Sequence, residues 1–316
     1  MKTRIFFASD VHGSESCFRK FINAAKFYDA NALILGGDIT GKALVPIVER
    51  PDGRFRLSFE GEEVVVKKEE LPTYIKTLRN SGRYYFMATE AELAELEKDK
   101  AKLDALFLKT MKEVLRSWIS LAQERLKGTG VKCYISPGND DRLELDELLQ
   151  DSENVFNPEA KVVELESGNE MITVGYANPT PWKSPREVPE DELFKMIDGV
   201  ASQLKEPSKS IFNLHVPPHG TELDKAPVVN SELRYEREGL GQLKMTNIGS
   251  TAVRRSIEKY QPMLGLHGHV HEVRGFIRIG RTLCVSPGSD YVAGTLKGAI
   301  IDLESSAIKE YMLTSG

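Results

Sequence analysis

Histidine is concentrated in a few short stretches of this sequence. Only six of the 316 residues are histidine. They fall in the stretches SDVHG, LHVPPHG and HGHVH, as His12, as His215 and His219, and as His267, His269 and His271. Imidazole nitrogens bind divalent metal ions and exchange protons near neutral pH. Such clustering predicts a metal site, a centre of acid–base chemistry, or both.

Residues that commonly bind metals also share one position relative to short apolar runs. Each follows the carboxyl end of a run that is typical of a buried strand. Asp10 and His12 follow IFFAS, Asp38 follows LILGG, Asn139 follows CYISPG, His215 follows IFNL, and His269 and His271 follow MLGL. Such strands, alternating with amphipathic helices, predict an open α/β sheet, which binds ligands at this edge. We therefore expect five segments to deliver oxygen and nitrogen donors to one rim.

The donor types narrow the choice of metal. Carboxylate, imidazole and amide oxygen suit Mn²⁺, Fe²⁺ or Zn²⁺ better than Ca²⁺, and no thiolate is required. Seven ligands are too many for one tetrahedral site, but they suffice for two ions that share a carboxylate. Two such ions, ~3.5–4 Å apart, generate hydroxide at neutral pH and clamp both oxygens of an in-line phosphoryl displacement.

Five motifs carry a resemblance to a known family. In chain order, SDVHG, GGDIT, SPGNDD, LHVPP and HGHVH resemble the D-x-H, G-D, G-N-x-D/E, H and G-H-x-H motifs of calcineurin-like metallophosphoesterases. The resemblance extends from residue 5 to about 303, except for an insertion at about 42–128. VSPGS at 285–289 also resembles the strand that follows the family's last histidines.

The resemblance implies one domain over residues 1–316, built as a four-layer α/β/β/α sandwich of two mixed sheets. It also implies hydrolysis of a phosphomonoester or phosphodiester by a hydroxide that bridges two metal ions. The alternative is a non-catalytic metal-binding scaffold of the same fold, which the insertion and the absence of a histidine at position 140 favour and the complete ligand set disfavours. By resemblance, one ion is held by Asp10, His12 and His271, the other by Asn139, His215 and His269, and both by Asp38.

One motif departs from the family pattern. Many members read G-N-H, where the histidine contacts substrate or protonates the leaving group, whereas this chain has Asp140. An aspartate near two cations is a poor general acid. His219 and His267 are candidates for that role; alternatively, Asp140 accepts a hydrogen bond from substrate or positions a water, or the leaving group needs no proton. His267 is also compatible with orienting a metal ligand, and Asp141 with supporting the loop.

The insertion interrupts the alternation of strands and helices. RFRLSFEGEEVVVKKEE alternates like a hairpin that turns at Gly61. Residues 89–127 contain no Gly or Pro, and Thr89 with Glu92 forms a capping box, so we expect one long helix after the hairpin. Its apolar stripe indicates core packing; a cap over the site or the interface of a homo-oligomer is the alternative. The segments 183–190 and 220–248 are typical of loops.

Composition limits the classes of partner. A net charge of −5, without a basic stretch interleaved with aromatics, argues against nucleic acid and against a membrane surface. No apolar run approaches the ~20 residues of a membrane span, and the apolar start is too short for a signal peptide. Three separated cysteines fit a reducing compartment. We expect a cytoplasmic enzyme that acts on a small-molecule phosphate ester.

Overall fold

The secondary structure comes from a computed structural model that describes residues 2–230, 232, 234–239 and 241–316. The helices are α1 Glu15–Phe27, α2 Leu71–Asn80, α3 Glu90–Lys98, α4 Lys100–Leu126, α5 Glu190–Ala201 and α6 Thr251–Tyr260. The strands are β1 Lys2–Ala8, β2 Ala32–Gly36, β3 Ala43–Glu49, β4 Phe55–Phe59, β5 Glu62–Val66, β6 Arg83–Thr89, β7 Lys132–Ser136, β8 Val155–Phe156, β9 Val162–Glu164, β10 Glu170–Val174, β11 Ile211–Leu214, β12 Lys225–Pro227, β13 Arg237–Glu238, β14 Gln242–Leu243, β15 Met245–Asn247, β16 Leu264–Leu266, β17 Gly275–Ile279, β18 Thr282–Ser286, β19 Lys297–Glu304 and β20 Ala307–Ser315.

Two large mixed sheets form the body of the described chain. The first has the strand order β20-β19-β1-β2-β7-β8, in which β1, β2, β7 and β8 are parallel, β19 pairs antiparallel with β1, and β20 pairs antiparallel with β19. The second has the order β17-β18-β16-β11-β10-β9, with parallel strands in the centre and an antiparallel strand at each edge. The prediction of a mixed α/β fold is confirmed. In each sheet the carboxyl ends of the parallel strands meet at one edge, where such folds bind ligands.

Side chains on the two faces of β1 belong to different apolar clusters, because successive strand residues point to opposite faces. Ile5 and Phe7 share a cluster with Ile211 and other residues of the second sheet. Phe6 and Ala8 share a cluster with side chains of α1 and α4. A third cluster joins β10 and β11 to α5 and α6. Full burial of a large apolar side chain is worth about 1.5–3 kcal/mol, so these clusters fix the strand ends that carry the site.

The insertion forms a small sheet of its own, in the order β5-β4-β3-β6. The hairpin predicted around Gly61 is confirmed: β4 pairs antiparallel with β5, and Gly61 has a φ of 86°. Between the hairpin and residues 89–127, the structure adds α2 and β6, which the sequence pattern did not indicate, and β6 pairs parallel with β3. Pro46 lies inside β3, where a proline argues against a strand, so the sequence pattern did not indicate β3.

The single helix expected over residues 89–127 is in fact two helices, α3 and α4, separated at Asp99. Thr89 caps α3 through the predicted capping box. Asp99 caps α4 because its side chain accepts a hydrogen bond from the first turn, and an aspartate can begin a new helix inside a continuous apolar pattern. α4 packs on α1, where the rings of Trp118 and Phe18 stack at 4.3 Å. Most of its apolar stripe therefore packs in the core.

One segment that was expected to be a loop is only partly irregular. Residues 220–248 contain the short antiparallel pairs β12–β15 and β13–β14. These strands are two or three residues long, too short to leave a periodic signal in the sequence. Among the helices that the structure describes, none is both long enough and apolar enough to cross a bilayer.

Candidate metal centre

Loops at the carboxyl ends of both sheets carry the predicted ligands. The loops after β1, β2 and β7 belong to the first sheet, and those after β11 and β16 to the second. In that order, they carry Asp10 and His12, Asp38, Asn139, His215, and His269 with His271. Contacts between these side chains cross from one sheet to the other.

Four of the side chains, Asp10, His12, Asp38 and His271, form a tight group. Their nitrogen and oxygen ligand atoms all lie within 4.8 Å of one another. Nε2 of His12 lies 3.0 Å from Nε2 of His271 and 3.5 Å from Oδ2 of Asp38. Nε2 of His271 lies 3.4 Å from Oδ1 of Asp10. Two carboxylates and two imidazoles at this spacing can hold a divalent ion.

A second group adjoins the first through Asp38. Oδ1 of Asn139 lies 2.8 Å from Nδ1 of His269 and 3.1 Å from Nε2 of His215. Oδ1 of Asp38 lies 3.4 Å from Nε2 of His215, whereas its Oδ2 faces His12 of the first group. The two oxygens of Asp38 therefore face different sets of candidate donors.

Four of the candidate ligands have a left-handed backbone conformation. The angle φ is 56° at Asp10, 39° at His12, 51° at Asp38 and 67° at His269. A non-glycine residue in this region costs of order 1–3 kcal/mol, and such residues cluster at functional sites. The backbone conformation of these loops therefore lowers the stability of the fold at the residues whose side chains meet in the site.

Burial and mutual contact shift the protonation of the site. Burial lowers the pKa of His12 to about 3 and that of His269 to about 4, so both rings are neutral at pH 7, the form that binds metals. Burial alone would raise the pKa of Asp38, but His215 and His12 hold it well below its usual value. Burial alone would lower the pKa of His215, but Asp38 and Asp10 raise it to about 10. Negative charge is thus concentrated among imidazoles, which favours a cation there.

The donor set fits divalent ions. Nδ1 of His215 donates to the carbonyl of Gly36 (2.8 Å), which leaves Nε2 to face the oxygens of Asn139 and Asp38. A divalent ion would replace the proton that the carboxylates hold on this nitrogen. The hydrogen bond to Gly36 also fixes the ring orientation, as the outer partners of metal-binding histidines do. Nδ1 of His12 finds no hydrogen-bond partner within the described part of the chain.

The buried carboxylate of Asp141 holds two of the loops together. It accepts hydrogen bonds from the backbone nitrogens of Ile39 (2.9 Å) and Thr40 (2.8 Å) in the loop after β2. It also accepts one from the backbone nitrogen of Gly138 (2.8 Å) in the loop after β7. This is the supporting role that was predicted for Asp141.

Two glycines allow the loops to approach the ligands closely. A Cβ on Gly138 would lie 2.9 Å from Nε2 of His215 and closer still to Asp38. A Cβ on Gly268 would overlap a carboxylate oxygen of Asp10. The glycines of the PGN and HGH motifs are therefore required by space, as expected of loops that bring ligands together.

One curated relative is similar over much of its length. Uncharacterized protein MJ1162 of Methanocaldococcus jannaschii is 31% identical over 171 residues, which are 52% of this chain and 68% of the relative. At this identity and coverage the two proteins are members of one family. No protein-family model matches the sequence.

Solved structures share the fold. TT1561 of Thermus thermophilus has a TM-score of 0.55 at 15% identity, over 100% of this chain and 99% of that one. A second crystal structure has a TM-score of 0.59 at 16% identity, over 99% of both chains. On this fold, the five motifs of the sequence converge on one cluster of ligand atoms. The chain therefore shares the fold of these structures, and its five motifs resemble those of calcineurin-like metallophosphoesterases.

Asp140 occupies the position where many metallophosphoesterases have a histidine. Its Oδ1 accepts hydrogen bonds from Nδ2 of Asn139 (3.0 Å) and the hydroxyl of Ser184 (2.5 Å), and its Oδ2 pairs with the ammonium of Lys42. Burial alone would lower the pKa of Lys42, but Asp38 and Asp140 raise it. Lys42 therefore brings a positive charge to the site. Sequence reasoning missed it, although ITGK places a lysine four residues after Asp38.

The two other histidines that were candidates for proton transfer lie in different surroundings. His267 is fully buried, and its Nδ1 donates to the carbonyls of Leu214 (2.9 Å) and Val216 (3.2 Å), which flank His215. His219 has a side chain that is 45% exposed and lines a neighbouring cavity of about 400 Å³. Neither is among the described residues that line the cleft at the metal ligands.

A cleft of about 580 Å³ opens at the candidate ligands Asp38, Asn139, His269 and His271. The insertion lines part of it with Lys42, Phe107 and Met111, and the later loops contribute Trp182 and Tyr235. The cleft thus combines charged and aromatic side chains. Residues far apart in the chain determine its shape.

The insertion also contacts the surroundings of two candidate ligands. Gly82 lies between α2 and β6, where a Cβ would overlap the carbonyl of His12 and lie 3.1 Å from the ring of Tyr291. The ring of Tyr291 in turn lies 4.7 Å from that of His12 and 5.8 Å from that of His271. The small sheet therefore supports the first ligand group through packing.

Proposed function

We propose that this chain is a metal-dependent phosphoesterase that hydrolyses a small-molecule phosphomonoester or phosphodiester. The observation that carries the proposal is the position of Asp38, whose two oxygens face separate groups of donors. A cleft of about 580 Å³ at these donors is of a size that holds a small ligand. The net charge of −5 argues against nucleic acid as the substrate.

We assign the ligand set to two divalent ions of the Mn²⁺, Fe²⁺ or Zn²⁺ type. When bound, such ions polarise phosphoryl oxygens and make hydroxide available at neutral pH. The neutral rings of His12 and His269 and the fixed orientation of His215 support this assignment. One ion is assigned to Asp10, His12 and His271, the other to Asn139, His215 and His269, and Asp38 is shared.

Lys42 is assigned to the phosphate group of the substrate. Its ammonium lies in the cleft with Asp38 and is paired with Asp140. Lysine binds phosphate oxygens as a point charge. Because three donors surround the carboxylate of Asp140, it acts as an acceptor that positions Lys42 and does not deliver a proton.

The remaining two histidines are not assigned to proton transfer. His267 donates to the carbonyls on either side of His215, so its role is to position that ligand. His219 lines an adjoining cavity and is not among the described residues that line the cleft at the metal ligands. With no histidine at position 140, esters whose leaving group needs no proton, such as aryl esters, should react fastest.

The proposal includes the layered architecture. The two sheets share one apolar cluster, and each shares another with helices. These contacts support a four-layer α/β/β/α sandwich with residues 1–316 as one domain. The insertion at about 42–128 is then an addition to that sandwich, part of which lines the cleft.

Turnover of bis-p-nitrophenyl phosphate and p-nitrophenyl phosphate by the Mn²⁺-loaded protein tests this function. We expect hydrolysis of at least one ester, loss of activity after EDTA, and recovery after Mn²⁺ is added back. Metal content measured on the same sample distinguishes an empty site from an inactive one. Bound metal with no turnover of either ester would contradict the proposed activity and favour a non-catalytic scaffold.

A further inference from the structure

The loop between β10 and α5 is fixed to the turn that carries Asn139. Arg186 in this loop is only 1% exposed; its Nε donates to the carbonyl of Asp141 (2.8 Å), and its guanidinium pairs with Asp146. The backbone nitrogen of Arg186 donates to the carbonyl of Asn139 (3.1 Å). A buried arginine with all of these partners holds the loop in one position, because breaking them would leave a charge unpaired.

Glu187 closes the same loop on itself. Its carboxylate accepts hydrogen bonds from the backbone nitrogens of Thr180 (2.9 Å) and Ser184 (2.9 Å). The hydroxyl of Ser184 reaches Asp140 in the cleft (2.5 Å). Residues 180–187 are therefore tied both to each other and to the loop that carries the candidate ligand Asn139.

Trp182 lies on this fixed loop and lines the cleft with 57% of its surface exposed. Tyr235, which is 59% exposed, lines the same cleft. Large aromatic side chains left exposed in a concave site mark a binding surface for an apolar group. Because hydrogen bonds already hold its loop, the backbone at Trp182 needs little further ordering when a ring stacks on the side chain.

The cleft has a charged part and an aromatic, apolar part, and a single ligand can contact both. The ammonium of Lys42 and the candidate metal ligands suit an anionic phosphate. Val229 and Ile248 add apolar surface near the aromatic side chains. The pairing of charge with aromatic surface in one cavity matches a molecule that joins a phosphate to a planar ring.

We propose that the substrate is a phosphoester whose alcohol carries a planar aromatic ring, and that this ring stacks on Trp182. The inference rests on the proposed function, since it names the substrate class of the same site. Stacking of a ring on an aromatic side chain changes affinity by roughly tenfold or more. Trp182 is thus the residue that selects aromatic over alkyl esters.

Binding of phenylphosphonate and methylphosphonate to the Mn²⁺-loaded full chain, measured by calorimetry, tests this inference. The wild-type protein should prefer phenylphosphonate by roughly tenfold. Trp182→Ala should abolish the preference with unchanged affinity for methylphosphonate, and Trp182→Phe should keep most of it. Phe27→Ala is the control. Phe27 is an exposed residue of α1 and is not among the described residues that line the cleft, so this variant should leave the preference unchanged.

Three results would overturn the inference: no binding of either phosphonate, no preference in the wild-type protein, or the same preference in Trp182→Ala. Ester turnover is measured separately on the same samples. A preference that depends on Trp182 without turnover of any ester would contradict the proposed function and leave the aromatic subsite standing. Turnover with no Trp182-dependent preference would support the proposed function and contradict the aromatic subsite.

Discussion

Nε2 of His12 lies 3.0 Å from Nε2 of His271, although 259 residues separate them in the chain. Burial lowers the pKa of His12 to about 3, so its ring is neutral at pH 7. The carboxylates of Asp10 and Asp38 lie within 4.8 Å of both rings. Only folding brings these donors together, so metal binding by the native protein and its loss on unfolding should be closely coupled.

Replacing the shared carboxylate should remove both metal and activity. In Asp38→Asn we expect turnover to fall by more than the roughly 10–100-fold that loss of an outer partner costs, because a ligand itself is lost. Asn tolerates the left-handed φ of 51° at this position, so the fold should persist. Metal content by mass spectrometry and ester turnover are the measurements. Asp29→Asn, at a φ of 54°, is the matched control and should behave like wild type.

A methyl group at Gly138 should disturb the site without removing a ligand. Its Cβ would lie 2.9 Å from Nε2 of His215 and closer to Asp38, so Gly138→Ala should lower metal affinity by roughly 10–100-fold. Titration of the stripped protein with Mn²⁺ measures this. Gly199→Ala is the control because nothing lies within 4 Å of a Cβ there. Wild-type affinity in Gly138→Ala would show that the loops move apart at little cost.

Loss of the ammonium at Lys42 should weaken the reaction but not metal binding. We expect Lys42→Gln to lower kcat/KM by about 10²-fold, the effect of losing one donor to a developing charge. Lys42→Arg should retain part of the activity, since the charge remains. Lys102→Gln on α4, with a side chain 72% exposed, is the control. Unchanged kcat/KM in Lys42→Gln at full metal content would remove Lys42 from the mechanism.

The ion pairs of Asp302 should make stability depend on pH. Hydrogen bonds from Arg4, with Lys2 nearby, lower the pKa of Asp302 from 3.8 to about 2. Its contribution of about 2 kcal/mol is therefore present above pH 4 and is lost as pH falls through about 2. In urea unfolding, Asp302→Asn should be less stable than wild type at pH 7, with a smaller difference near pH 3. Asp52→Asn, which breaks an exposed pair with Arg54, should change stability far less.

The convergence of the candidate ligands was predictable because these residues carry a signal in both type and position. Asp10 and His12 follow an apolar run at a spacing of two, and the other motifs follow similar runs in a recognisable order. Strand ends in parallel sheets meet at one edge, so position along the chain translated directly into position in space. The left-handed φ angles at Asp38 and His269 had no such signal, because residue type alone does not determine φ.

Other features depend on contacts that no local pattern encodes. Lys42 and Trp182 are single residues in loops, and only the fold brings them to one cleft. β3 escaped prediction because Pro46 interrupts its pattern, and the break at Asp99 lies inside an unbroken run of helix-forming residues. The buried Arg186 pairs with the half-exposed Asp146 and so joins two segments, and the sequence of neither segment predicts this contact.

Gly82 rests on the carbonyl of His12, with the ring of Tyr291 beside it. The small β-sheet is consequently a structural part of the site and cannot be removed without affecting it. A shortened protein without this sheet would lose the residues that follow Lys42 and would leave the backbone of His12 exposed. A chimaera made with a related protein would have to exchange the turn around Gly82 together with the stretch around Tyr291, as one unit.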